Sequence, residues 1–333
     1  MIKNKKFNVL IDRLSEDEIS IEKKIFGDQF KIHALESKDL NNTDSKILNS
    51  VHGILAWHEA TYDKKVISKL KNCKIIVRVG VGFDNVDLNF ARKKNIIVCT
   101  VPDYGVDDVA DHAITLLLYF IKKIGFYNDN FKYNHKWSWG DLSSIKRIKR
   151  FKLGILGFGR IGSATAIRAK SFGMDVSFYD PYIPVGTEKV FNVKRHHNLE
   201  NFLSELDALS IHTPLNSETN KLVEKKFIRK IKRKAILINT ARGGIVNSID
   251  VHNALKDNHL YAFGSDVFDQ EPPPLSNPLI KAWKSETNWL NNRIIITPHC
   301  APFNKESYRE LREKAAKEVK NFLLYGKYLS KVN

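Results

Sequence analysis

The sequence predicts an α/β protein of two domains, one inserted into the other. Three observations lead there. Strand-length apolar runs alternate with helix-spaced segments through most of the chain, a glycine turn of the kind that usually opens such a domain comes only near residue 157, and a helix-spaced tail follows the last run. From residue 151 onward the runs are LGIL (153–156), DVSFYD (175–180), DALSIH (207–212), AILINT (235–240), YAFGSD (261–266) and RIIITP (293–298). Helical spacing lies between them, as in Ile161, Ala164 and Ile167, or Val251, Ala254 and Leu255. The order predicts a parallel sheet with helices on both faces. The front part repeats the pattern on a smaller scale with FNVLID (7–12), GILAW (53–57), KIIVRVG (74–80) and IIVCT (96–100). After Pro102, residues 109–123 read as a long helix with Ala110, Ala113, Leu117 and Phe120 on one stripe. Tyr308, Leu311, Ala315, Val319 and Phe322 mark a terminal helix long enough to return to the front domain. The expected division is therefore 103–298 inserted into a domain made of 1–102 and 299–333.

Composition narrows the class. With 333 residues and 43% hydrophobic content there is material for two cores. The start carries charge but only a short apolar segment, and the longest apolar run, 113–121, stops at Lys122 and Lys123, so neither a signal peptide nor a membrane span is expected. Cys73, Cys99 and Cys300 are scattered and odd in number, which argues against a disulfide framework or a metal site and for a reducing, cytoplasmic setting. The net charge of +17 is spread along the chain. Its densest cluster, IKRIKRFK (145–152), precedes a strand and no nucleic-acid-binding motif accompanies it, so a lysine-rich surface is the expectation and specific nucleic-acid binding is not. No regulatory domain is expected after residue 330.

In GILGFGRIG, Gly157, Gly159 and Gly162 stand as G-x-G-x-x-G between a strand and a helix. The first glycine permits the tight turn, the second lets backbone approach a pyrophosphate, and the third lets helix pack on strand. Arg160 and Ile161 open the helix whose first amides point at the phosphates. Asp180 ends the next strand, where a carboxylate binds the adenosine ribose hydroxyls and repels a 2′-phosphate; its plainer role is a turn residue before Pro181. A Rossmann domain that binds NAD rather than NADP is the expectation.

Three further motifs end later strands, on the edge where open α/β sheets bind ligands: NTARGG (239–244), DVFDQEP (266–272) and TPHCA (297–301). Arg242 has the planar guanidinium that forks onto a carboxylate or polarises a carbonyl. His299 can supply the proton that accompanies hydride to a ketone oxygen, and Glu271 can orient the ring and favour its protonated form. Singly, the arginine can be a surface residue, the glutamate a strand end and the histidine a packed cap. Together beside a dinucleotide they make a hydride-transfer set.

The ordered series RVGVGFDNVD, VPDYGVDDVADHA, GILGFGRIG, IHTPLNSET, INTARGGIV, DVFDQEP and TPH resembles the D-isomer-specific 2-hydroxyacid dehydrogenases over nearly the whole chain. WHEAT (57–61) and the two front motifs make it similar to the branch that contains the C-terminal-binding-protein co-repressors. The resemblance implies a Rossmann domain inserted into a flavodoxin-like substrate domain, and Arg242, Glu271 and His299 as catalytic triad. It implies Asp266 beside the nicotinamide and Thr213, Thr219 and Thr240 as cofactor contacts. It further implies that the backbone amides of Val79, Gly80, Val81 and Gly82 hold the substrate carboxylate, that Arg78 and His58 face the substrate, and that the protein is a homodimer. The substrate class implied is a small anionic 2-hydroxy or 2-keto acid with NAD as cofactor, or, in the co-repressor manner, a protein partnership controlled by NAD(H). Asn247 and Ser248 replace the family's acidic pair and are expected on a helix cap. The segment 272–293 is longer than usual, and Pro302 stands where the closer branch often has an aromatic.

Overall fold

The computed structural model describes residues 6–37, 39–140 and 146–333, so Ile145, which opens the basic cluster, lies outside it. The chain divides into two compact units, Met1–Gly105 with Phe303–Asn333, and Val106–Pro302.

Among the described residues the first unit has one sheet of parallel strands: β1 (Phe7–Ile11), β2 (Phe30–Ala34), β3 (Gly53–Ala56), β4 (Ile75–Arg78) and β5 (Ile97–Cys99), in the order β2-β1-β3-β4-β5. This is the flavodoxin-like order. β2 is a strand that the sequence pattern did not reveal. It lies at the sheet edge, and in FKIHA a lysine and a histidine interrupt the apolar positions. The terminal helix, Lys305–Tyr325, buries Leu311, Ala315, Ala316 and Val319 in the same core as Val9, Trp57 and Val77. It begins with a capping box of Asn304 and Ser307 and ends on a left-handed Gly326, two local signals that fix its length.

The second unit's strands are β6 (Lys152–Leu156), β7 (Asp175–Tyr179), β8 (Lys194–Arg195), β9 (Ala208–Ile211), β10 (Ala235–Asn239), β11 (Leu260–Ser265) and β12 (Ile294–Ile296). All pair in parallel in the order β12-β11-β10-β9-β6-β7-β8, a Rossmann sheet that reverses direction at β6. One core covers each face, the first around Leu209, Leu237 and Phe263, the second around Ile155, Ile238 and Phe120.

The helical stripe in the region 109–123 belongs to this second core. Ala113, Leu117 and Phe120 belong to that core and Ala110 is also buried, so the stripe on the helix Val106–Ile121 is not exposed. The strands β10 and β11 and the helix Arg160–Ser171 pack on this helix. The aromatic stretch that follows behaves differently, with Trp137 and Trp139 at 87% and 74% exposure. In the long segment 272–293, Leu279 and Ile280 of the helix Pro278–Lys284 and Leu290 join the unit's core. Asn247 caps the helix Ser248–Lys256 by accepting from the amides of Ile249 and Asp250. Among the described residues no helix is long and apolar enough to cross a membrane.

Candidate active site

The glycine turn follows β6 at the reversal point. Gly157 has φ +88, and a Cβ there would lie 2.8 Å from the Thr213 amide nitrogen; a Cβ on Gly162 would lie 2.1 Å from the Gly157 carbonyl. Only glycine lets the helix Arg160–Ser171 begin this close to the turn. Around Gly159 the space is open. Arg160 and Ile161 are the first residues of the helix, where backbone donors are left without helical acceptors. Asp180 follows β7 and is tied to the turn: Oδ2 accepts from the Phe158 amide at 2.7 Å and Oδ1 from the Tyr182 amide at 2.9 Å. Each oxygen keeps a lone pair for a ribose hydroxyl.

Thr213 and Thr240 follow β9 and β10. Their hydroxyl oxygens are buried with no hydrogen-bond partner among the described residues. Orphaned buried hydroxyls are costly unless something else satisfies them. With the open space at Gly159 and the carboxylate of Asp180, they fit a dinucleotide laid along the carboxyl edge of the sheet. Thr219 is placed differently, since its hydroxyl donates to the Pro214 carbonyl at 2.6 Å and accepts from the Asn216 amide at 2.9 Å, closing its own loop.

Arg242 leaves β10 in extended conformation, and its Nη1 donates to the Ala241 carbonyl at 2.8 Å. The next residue explains how the arginine turn meets the loop after β11: a Cβ on Gly243 would sit 1.7 Å from the Phe268 carbonyl carbon and 2.1 Å from the Asp269 nitrogen. Gly243→Ala is therefore expected to push the two turns apart. Thermal or urea unfolding should show a loss of about 1–3 kcal/mol, typical of overpacking against rigid surroundings.

That second turn carries Glu271, whose Oε1 accepts from the Phe268 amide at 3.0 Å and whose Oε2 lies 2.7 Å from His299 Nδ1. A carboxylate is an acceptor, so Nδ1 carries the hydrogen and Nε2 is the nitrogen left to exchange a proton. The ring is partly exposed, its side chain at 27%.

His299 has φ +52, an uncommon left-handed conformation for a residue with a Cβ. Asp266, predicted beside the nicotinamide, is what holds it there. Its carboxylate is 1% exposed and accepts from the Thr297 hydroxyl at 2.6 Å, the Cys300 amide at 2.9 Å and the Ala301 amide at 2.9 Å, while the His299 amide donates to the Asp266 carbonyl at 2.7 Å. His112, which the sequence reading did not single out, closes the network: its Nε2 is 3.0 Å from the Thr297 hydroxyl. That hydroxyl gives its one proton to Asp266, so His112 Nε2 is the donor. Its helix also carries Asp107, Asp108, Asp111 and Thr115, so polarity alone gave no signal for it.

In the first unit, Arg78 ends β4 with its guanidinium against the bare Cα of Gly80 and a short hydrogen bond to the Val79 carbonyl. His58 Nδ1 lies 3.3 Å from Glu59 Oε2. The loop amides are not equivalent. Val79 donates to the Ala56 carbonyl at 2.8 Å and Gly80 to the Arg78 carbonyl at 2.9 Å, whereas the amides of Val81 and Gly82 have no acceptor among the described residues. Of the four, the latter two are the amides with donors to spare.

A Rossmann sheet with an acid-paired histidine and an arginine on its ligand-binding edge defines a dinucleotide-dependent oxidoreductase scaffold. Residues 114–301 match the family model of the D-isomer specific 2-hydroxyacid dehydrogenase NAD-binding domain. The chain is 34% identical over 260 residues to a glyoxylate reductase of Korarchaeum cryptofilum, covering 77% of this chain and 75% of that protein. It is 30% identical over 318 residues to C-terminal-binding protein 1 of Caenorhabditis elegans, covering 93% of this chain but 42% of that protein's length. The crystal structure of an Aquifex aeolicus D-lactate dehydrogenase, complexed with NAD and lactic acid, superimposes with a TM-score of 0.85 at 26% identity, covering 98% of this chain and 99% of that one. The chain belongs to the D-isomer specific 2-hydroxyacid dehydrogenase family, and its second unit is the family's NAD-binding domain.

Proposed function

We propose that this protein is an NAD-dependent oxidoreductase that interconverts a small D-2-hydroxy acid and its 2-keto acid. The observation that carries the reading is the 2.7 Å contact of Glu271 with His299 Nδ1, which orients the ring on the sheet edge that also bears Arg242 and the orphaned threonines. Gly157, Gly159, Gly162, Asp180, Thr213 and Thr240 would hold NAD(H), which would supply or accept the hydride. During reduction, negative charge builds on the substrate oxygen and protonated His299 donates to it from Nε2; in oxidation the same nitrogen takes the proton back. The Glu271 carboxylate stabilises the imidazolium and fixes the ring. Arg242 is too basic to release a proton, so it serves as a fixed positive donor to the substrate's carboxylate or carbonyl. The amides of Val81 and Gly82, with Arg78 beside them, are the proposed carboxylate contacts of the first unit, and His58 a side-chain contact.

A panel of 2-keto acids incubated with NADH and the purified protein, read by loss of NADH absorbance, tests this. Turnover of glyoxylate, hydroxypyruvate or a related small acid is the expected result. Silence across a broad panel would instead favour an NAD(H)-responsive binding protein, the reading that the match to a C-terminal-binding protein supports.

A homodimer belongs to the same proposal. Phe126, Phe131, Tyr133, Trp137 and Trp139 leave an exposed aromatic strip after the buried helix, more apolar surface than a monomer usually shows in one place. Light scattering at micromolar concentration should give twice the 38.2 kDa chain mass; a particle of single-chain mass would dispose of the idea. The three cysteines are free, in keeping with a cytoplasmic location.

A further inference from the structure

The loops after β7 and β9 are joined by side chains that the hydride chemistry does not use. Tyr182, in the first, donates its hydroxyl to Glu218 Oε2 in the second through a short hydrogen bond. In the sheet, β6 lies between β7 and β9, so the two side chains join loops whose strands stand two spacings, about 10 Å, apart, on the edge from which the glycine turn rises. The tyrosine is anchored at its other end as well, because its amide donates to Asp180 Oδ1 at 2.9 Å. Asp180 and Glu218 thus stand at the two ends of one tyrosine. The Glu218 loop is itself fixed: Asn216 Oδ1 accepts from the amides of Glu218 at 2.9 Å and Thr219 at 3.1 Å. The bond to Glu218 holds the Tyr182 phenol above its usual range, in keeping with the tyrosine as donor in this pair.

We infer that Glu218, held in place by Tyr182, is a second determinant of cofactor choice that acts with Asp180 against 2′-phosphorylated dinucleotides. The inference rests on the NAD reading above. A 2′-phosphate on the ribose that Asp180 receives would bring close to two negative charges within a tyrosine's length of Glu218, inside the roughly 8 Å screening length of physiological salt. Removing Asp180 alone then leaves a carboxylate facing the phosphate, and the discrimination survives in part.

Dissociation constants of NADH and NADPH, measured by fluorescence titration without substrate, test this on the wild type, Glu218→Gln, Asp180→Ala and the double variant. Glu218→Gln is expected to tighten NADPH by roughly 3- to 10-fold while NADH stays within about twofold, the scale of one partly solvated like-charge contact. At about 1 M salt, where screening falls to roughly 3 Å, the gain should vanish. The double variant should prefer NADH less than either single one. A wild type that prefers NADH together with a Glu218→Gln ratio that does not change, or changes equally for both cofactors, overturns the role of Glu218 and leaves the NAD reading standing. A wild type without preference overturns the NAD reading itself.

Discussion

His299→Ala is expected to reduce turnover of the best 2-keto acid by roughly 10²- to 10⁴-fold, the usual worth of a positioned general acid. NADH affinity should change little, because the residues proposed to hold the pyrophosphate and ribose follow β6, β7, β9 and β10 and are not part of the 297–301 loop. Steady-state kinetics with a parallel fluorescence titration separates the two quantities. Near-normal turnover in the variant would remove His299 from the chemistry. Glu271→Gln should act differently. The amide can still meet Nδ1 and orient the ring, but the imidazolium loses its facing charge, so turnover in the reduction direction should fall while NADH affinity holds. If turnover stays where it is, the carboxylate has no part in proton supply while the acid role of His299 stands.

Asp266→Ala should be among the most damaging single changes for stability and activity together. The carboxylate is buried, and its loss strands the amides of Cys300 and Ala301 and the Thr297 hydroxyl, each of which donates to it. Each buried donor left without an acceptor costs about 1–3 kcal/mol, and partial relaxation or water entry brings the total to roughly 2–4 kcal/mol. The left-handed His299 is held by the same turn, so loss of turnover should accompany the loss of stability. Asp266→Asn separates the contributions: its carbonyl oxygen can still accept, but its amide nitrogen faces another donor. Urea unfolding and kinetics of both variants check this, and a stable, fully active Asp266→Ala protein would show that the network does not position the histidine.

These two cases also show where sequence reading stops. The glycine turn, Asp180, Arg242, Glu271 and His299 were legible because each depends on local order, an apolar run followed by a turn of stated residue types, and every such run ends on the same edge of a parallel sheet. The terminal helix was legible from its 3.6-residue spacing. β2 and β8 were not. Edge strands are covered on fewer sides, and FKIHA and the two-residue KR lack the continuous apolar run that marks a central strand. Residue type also says nothing of which polar atoms remain available. Val79 and Gly80 carry the same backbone donors as Val81 and Gly82, yet the carbonyls of Ala56 and Arg78 take the first pair. Thr213, Thr219 and Thr240 carry the same hydroxyl, yet Thr219 spends its own inside its loop. Asp266, expected beside the nicotinamide, also accepts from Thr297, Cys300 and Ala301, more than thirty positions away in sequence, a set of partners its residue type does not announce. The sequence by itself determined the succession of the central strands along the chain, the place of their turns and the chemical type of each group on the edge, because those follow from local pattern. Only the tertiary structure decided which donors and acceptors are spent and which are left for a ligand, because each can satisfy few partners and the competition for them is settled between segments distant in the chain.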